Sequence, residues 1–277
     1  MKRMLFLAII LGSFSSNVNA ENYNIATTQL IGEKDPDLSE DFVRNIFTKK
    51  ETMKLSRSKI DLFVECPRCF YLDIKMNIKR PPGFPFSLNN AVDHLLKKEF
   101  DFHRAKGTQH PIQSGIDAIP AQHPLIDQWR NSLGGGVSYY DAAHDCTLYG
   151  GIDDLWVSSE GIYHVVDYKA TAKDVAVSEL PDWANGYRRQ MEIYQWLLRK
   201  NGLNVSNTAY FVYCTGDKKR SDFNNTLHFE THLIPYLGDD SWVDGTISRL
   251  FELLSKETIP EHNPNCLYCN FAKKQLN

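Results

Sequence analysis

The chain has 277 residues and is 42% hydrophobic, 23% charged and 12% aromatic. That profile fits a globular protein of one or two domains and excludes a disordered chain, a collagen-like repeat and a polytopic membrane protein. Lys plus Arg (31) nearly balance Asp plus Glu (34), so the net charge of −3 provides no global basic field, and any nucleic-acid contact must come from a local patch.

Residues 1–20 (MKRMLFLAIILGSFSSNVNA) carry Lys2 and Arg3, then an apolar run from Met4 to Leu11 that is too short to span a bilayer. Their Val18-Asn19-Ala20 end suits signal peptidase. Taken alone this is a secretory signal. Met53 opens a second plausible start, which makes residues 1–20 a mis-assigned upstream stretch in the competing reading. Residues 21–52 are mostly polar and are expected to be a linker.

One domain is expected over 53–277. Ser56 is a good N-cap for a helix with Ile60, Phe63 and Val64 on one face, which Cys66-Pro67 should disturb or end. A proline-rich turn at 80–85 leads to a helix from about Ser87 to Ala105. Its apolar stripe is Val92, Leu95 and Leu96, with Phe100 at the margin. Residues 107–136 are turn-rich. Strand-like runs at 147–157 and 162–170 flank a short turn containing Gly161. A helix near 183–200 puts Tyr187, Met191, Tyr194 and Leu198 at helical spacing. Strands near 208–214 and 226–233 and a helix near 241–256 follow. Helices flanking a small central sheet make an α/β domain.

The hairpin carries the chemistry. With Ser159-Glu160-Gly161 as a three-residue loop and Gly161 at the positive-φ position, paired residues sum to 320. Asp153 and Asp167 then lie directly opposite each other on one face, with Lys169 two residues on, and Asp154 points to the other face. Two facing carboxylates repel unless a cation lies between them. Mg²⁺ or Mn²⁺ suits carboxylate oxygens plus substrate phosphate, and a nearby lysine can orient water or neutralise developing charge. Gln190 and Tyr194 share the sheet-facing side of the following helix, where a buried amide must find a partner. Arg188, Arg189, Lys218, Lys219 and Arg220 are candidates for tracking a phosphate backbone.

Cys66-Pro-Arg-Cys69 and Cys266-Leu-Tyr-Cys269 are two C-x2-C pairs at opposite ends of the domain. Together they offer four thiolates for Zn²⁺ or a [4Fe–4S] cluster. Cys146 and Cys214 sit singly in strand-like runs and are expected to pack in the core.

In this order the elements resemble the RecB-like branch of the PD-(D/E)XK nuclease superfamily, over most of residues 53–271. They are the Leu55–Arg68 segment, an acidic helix, Gly150-Gly-Ile-Asp153, Val166-Asp-Tyr-Lys169, Gln190-x-x-x-Tyr194 and a closing Cys pair. The resemblance implies a restriction-endonuclease-like core, with a small mixed sheet flanked by helices. It also implies a divalent-metal-dependent DNA nuclease, often an exonuclease, of repair, recombination or defence. By the same resemblance Asp153 and Asp167 bind metal, Lys169 is the catalytic lysine, and Gln190 and Tyr194 support the site and contact DNA. Relatives often place a metal-binding His on the acidic helix where this chain has Asp93. Asp93 borders the helix's apolar stripe and is the expected third ligand, with His94 the alternative. That substitution keeps alive a catalytically inactive member that binds nucleic acid or a partner. Relatives with a [4Fe–4S] cluster use one early and three late cysteines, so the 2+2 arrangement here makes Zn²⁺ a competitor. The expected partner is single-stranded or end-bearing DNA, with a helicase or other repair or defence protein for any unwinding, and no stable membrane association of 53–277. A cytoplasmic location suits the thiolates, and an exported one suits residues 1–20.

Overall fold

The computed structural model describes residues 52–83 and 87–275; the signal-like segment and all of the linker but Thr52 lie outside them. In chain order the elements are β1 (Met53–Ser56), α1 (Arg57–Glu65), α2 (Pro67–Met76), α3 (Ser87–Lys106), β2 (Ile119–Pro120), α4 (Ile126–Arg130), β3 (Val137–Asp141) and β4 (Cys146–Gly150). There follow β5 (Asp154–Val157), β6 (Tyr163–Lys173), α5 (Asn185–Lys200), β7 (Thr208–Asp217), β8 (Phe229–Leu237), α6 (Trp242–Ser255) and α7 (Leu267–Gln275). A five-stranded mixed sheet runs β2-β5-β6-β7-β8, and a three-stranded sheet runs β1-β4-β3. β6 and β7 are parallel, so the chain must cross over between them, and α5 is that crossover. No helix among the described residues is long and apolar enough to cross a membrane.

The α/β class and the hairpin register agree with the sequence. Ser158 N–H donates to Ile162 O, Gly161 has φ +76°, and Asp154 pairs with Val166, Leu155 with Val165 and Trp156 with His164. Continued by one residue, that register sets Asp153 opposite Asp167. The run 147–157, expected as one strand, is two. At Gly150-Gly151 the chain leaves one sheet for the other, and the Ile152 N–H is spent on Trp129 O at 3.1 Å instead of a ladder. Asp153 therefore lies just before β5 begins, at the junction of the sheets.

Alternation along β6 separates two cores. Val165 belongs to a core built largely from α1, α5 and α6, whereas Val166 and Tyr168 belong to one closed by α3. The α3 stripe is rotated from its expected position: Leu95 is 62% exposed, while Leu96, Phe100 and Arg104 are buried. These lie four residues apart, and the sheet beneath them offers an acid for Arg104. That acid is Asp154. Fully buried, it meets Arg104 as an ion pair and Arg130 Nη2 at 2.8 Å, and accepts from Leu155 N–H (2.8 Å), Trp156 Nε1 (3.3 Å) and Tyr168 OH (2.7 Å). Asp154→Ala would leave Arg104 and Arg130 with only the half-exposed Asp101 as a counter-charge and is expected to cost about 3 kcal/mol, read as a lowered urea midpoint.

Val64, expected on the inner face of the first helix, is 40% exposed, because Ile60 and Phe63 already fill that face. Cys66-Pro67 ends α1 as expected, but it also starts α2, with Cys66 as N-cap and Pro67 at the first position.

Candidate active site

The odd-numbered residues of β6 face α5, which brings Asp167 and Lys169 under Gln190 and Tyr194. Gln190 Nε2 donates to Asp167 Oδ1 at 2.7 Å, and its Oε1 lies 3.5 Å from Lys169 Nζ. The same Nε2 is 3.3 Å from the Tyr194 hydroxyl. The amide that needed a partner thus holds the buried acid. Gly150 makes this approach feasible: a Cβ there would lie 2.7 Å from Tyr194 Cε1 and 3.1 Å from Arg57 Cβ. Asp153 reaches the same place from the sheet junction, and its Oδ2 accepts from Tyr168 N–H at 2.9 Å.

Burial dominates the electrostatics. Asp167 has no exposed surface; burial and the Asp153 charge push its carboxyl up to about 7, against the pull of Lys169. Burial favours the neutral form of Lys169, and the charges of Asp167 and Asp153 more than offset it, so the lysine stays protonated. Its ammonium pairs with Asp167 Oδ2 and lies over the Tyr187 ring at 4.5 Å.

The third acidic candidate comes from α3. Asp93 lies on the side of the helix turned towards Asp153, and Lys97 Nζ sits between them, 2.9 Å from Asp93 Oδ2 and 3.4 Å from Asp153 Oδ1. His94 is exposed. Burial and the Asp153 charge raise the Asp93 pKa. Two observations bear on whether this carboxylate set suits a divalent ion. The Lys97 ammonium lies between Asp93 and Asp153, and the charge of Asp153 raises the pKa of both Asp93 and Asp167, the latter despite the Lys169 ammonium on its Oδ2. Acids that repel one another are what a hard, oxygen-seeking cation would relieve, so the carboxylates fit Mg²⁺ or Mn²⁺ with Lys97 swung aside.

Sequence reasoning missed Lys97 and the placement of Arg57. The first is one lysine in a charged helix, and only the fold shows that it faces Asp153. Arg57 lies 6.0 Å from the Tyr194 ring centre, and its charge also pulls down on Asp167. Several basic candidates are otherwise occupied. Arg189 pairs with Asp61 and Glu65, Lys218 with Asp174 and Arg220 with Asp217, and Arg188 donates to the Leu180 and Asp182 carbonyls.

A second site joins the two ends of the domain. Cys66, Cys69, Cys266 and Cys269 are buried, and their sulfurs all lie within 4.8 Å of one another. Cys66–Cys269 is 3.6 Å, Cys69–Cys266 3.7 Å and Cys69–Cys269 3.9 Å. Each pair sits at a helix start, that of α2 or α7, where free N–H groups favour thiolate. Burial pushes the Cys69 thiol up to about 12. At Cys266 burial acts the same way but is outweighed by the Cys269 and Tyr268 N–H groups and the Cys66 and Cys69 thiols, which bring it down to about 7. Arg80 Nη2 approaches Cys266 Sγ at 3.5 Å. Four convergent thiols are a set that could hold a metal ion. Cys146 and Cys214 are buried singly, as expected of core residues.

No curated protein matches the chain. Residues 87–273 match the profile of the PD-(D/E)XK nuclease superfamily, whose members are generally phosphodiester-hydrolysing enzymes that use divalent metals. That match covers α3, the hairpin, α5 and the second Cys pair, and the chain belongs to the PD-(D/E)XK nuclease superfamily.

Proposed function

We propose that the protein is a RecB-like, Mg²⁺- or Mn²⁺-dependent DNA exonuclease of repair, recombination or defence, with its metal held by Asp153, Asp167 and Asp93. The observation that carries this is the buried Asp167–Lys169 pair gripped by Gln190 opposite Asp153. Bound to these carboxylates, the metal would act as a Lewis acid and lower the pKa of a water. Lys169, kept protonated by its acidic neighbours, neutralises charge developing on the phosphoryl oxygens. Gln190 fixes the Asp167 carboxylate through Oδ1 and leaves Oδ2 towards Lys169. Tyr194 packs against Gly150 and orients Gln190, so both are positioning residues.

For the cysteines we favour zinc. A tetrahedron with metal–sulfur bonds of about 2.3 Å has edges of about 3.8 Å, and the close sulfur pairs here span 3.6 to 3.9 Å. A cubane of four irons and four sulfides would hold the thiolates considerably farther apart. Reduced thiols of this kind suit the cytoplasm. DNA is the substrate partner, and a helicase or another repair or defence protein would supply unwinding.

Lys97 supports the second reading, an inactive member that binds nucleic acid or a partner, because its ammonium occupies the space between Asp93 and Asp153. Incubating the full chain and Mn²⁺ with linear and circular single-stranded DNA of one sequence tests the assignment. An exonuclease degrades the linear form and spares the circle. Nicking of the circle would refute the end requirement, and two intact substrates would favour the inactive member.

A further inference from the structure

Lys169 is the inner end of a chain of contacts that runs out to the surface. Its ammonium lies over the Tyr187 ring at 4.5 Å, and Tyr187 meets Trp183 edge-on with ring centres 5.9 Å apart. Lys173 Nζ lies 5.4 Å from the centre of the Trp183 ring. Asp167, Lys169 and Lys173 alternate onto the same face of β6, so this aromatic and basic track continues directly from the acidic centre.

Trp183 is 63% exposed, yet the loop that carries it is firmly held. Val177 is buried and its N–H donates to Thr215 Oγ1. Ala184 is buried, and Arg188 ties down the Leu180 and Asp182 carbonyls. A large indole presented on a braced loop, with a cation on one side and the path to the reacting lysine on the other, matches the surface of a π-face awaiting another ring. The negative backbone that accompanies a nucleobase would meet Lys173.

We infer that Trp183 is a stacking platform for an unpaired nucleobase next to the scissile phosphate, which makes single-stranded DNA, or the single-stranded end of a duplex, the substrate class. The inference rests on the nuclease assignment and deepens it. A base inside a duplex has both faces covered by its neighbours, so only an unpaired one can stack on the indole.

Trp183 can be followed directly, because Trp129, Trp156 and Trp196 are buried and Trp242 is partly buried. Full-length protein, without added Mg²⁺ or Mn²⁺, would be titrated with a fluorescein-labelled oligothymidine of about ten nucleotides. Anisotropy reports binding, and the indole emission of a parallel titration with unlabelled DNA reports contact. The expected result is binding with quenched emission. Trp183→Ala should weaken binding about 5- to 150-fold, whereas Trp183→Phe keeps most of the affinity and loses the quench. A covalently closed dumbbell duplex should leave the emission unchanged. Binding of oligothymidine with unquenched emission and undiminished affinity in Trp183→Ala overturns the platform while leaving the nuclease assignment intact. Quenching by the dumbbell equal to that by oligothymidine overturns the requirement for an unpaired base. No binding to any DNA overturns the nuclease assignment itself.

Discussion

Asp167→Asn is expected to lower Mn²⁺-dependent cleavage by about 10³-fold or more and to flatten the pH dependence of the metal-free protein's stability between pH 3.8 and about 7. The activity loss follows from removing a carboxylate that fits the metal and pairs with Lys169; metal catalysis is worth several kcal/mol of barrier, and each 1.36 kcal/mol is tenfold. The stability expectation follows from linkage. Burial and Asp153 raise the Asp167 pKa from 3.8 to about 7 in the folded chain. The folded state therefore holds a proton that the unfolded state has released between those pH values, and stability falls as pH rises through that window. Below it both states are protonated and the penalty vanishes. Asparagine keeps the Gln190 contact without the charge, so the variant should lack this contribution to the pH slope, while the Lys169 ammonium that it leaves without a counter-charge offsets the relief at pH 8. Mn²⁺ should raise the melting temperature of the wild type at pH 8 and leave that of the variant unmoved. Thermal melts at pH 5 and pH 8, with and without Mn²⁺, read all of these together. A variant whose melting temperature falls between pH 5 and pH 8 as steeply as that of the wild type would contradict the electrostatic account.

The second large effect concerns the cysteines. Cys66 and Cys269 are 203 residues apart, and tying them together removes loop entropy worth about 5 kcal/mol from the unfolded chain. The double change Cys66→Ser, Cys69→Ser should therefore reduce bound zinc from one per chain to a trace and lower the melting temperature by on the order of 10–20 °C. Local contacts alone would not hold this region as tightly. They include Arg68 donating to Pro260 O at 2.6 Å, Tyr71 OH to Lys256 O at 3.0 Å, Lys75 Nζ to Lys256 O at 2.6 Å and Asn263 to Glu65 O at 3.2 Å. Elemental analysis of full-length protein purified without oxygen, followed by calorimetry, checks both parts. Four irons per chain with a brown chromophore would replace zinc by the cluster. An unchanged melting temperature would show that the thiols do not staple the ends.

What the sequence disclosed were the features encoded locally. A Gly-terminated three-residue turn fixes the pairing of Asp153 with Asp167, because a hairpin register depends only on its loop. Helical periodicity places Gln190 and Tyr194 on one face, and the two C-x2-C spacings mark the four thiols as one set, though not that each pair opens a helix. The features it concealed depend on distant partners. The split at Gly150-Gly151 is invisible because both halves read as strand. The α3 stripe came out rotated, since Arg104 is buried by an ion pair with Asp154 that no periodicity reveals. Lys97 and Arg57 belong to the site only through the packing of α3 and α1 against the sheet and α5. The second sheet also went unseen, because β1 pairs with β4 across some ninety intervening residues.

The central claim, that the Asp153–Asp167–Lys169 hairpin is a metal-dependent phosphodiester-hydrolysing site, is tested most directly by cleavage of end-labelled single-stranded DNA by the full chain in Mn²⁺, beside Asp167→Asn. Cleavage that needs Mn²⁺ and disappears in the variant is the predicted result. Cleavage at an undiminished rate by a folded Asp167→Asn protein would place the chemistry elsewhere.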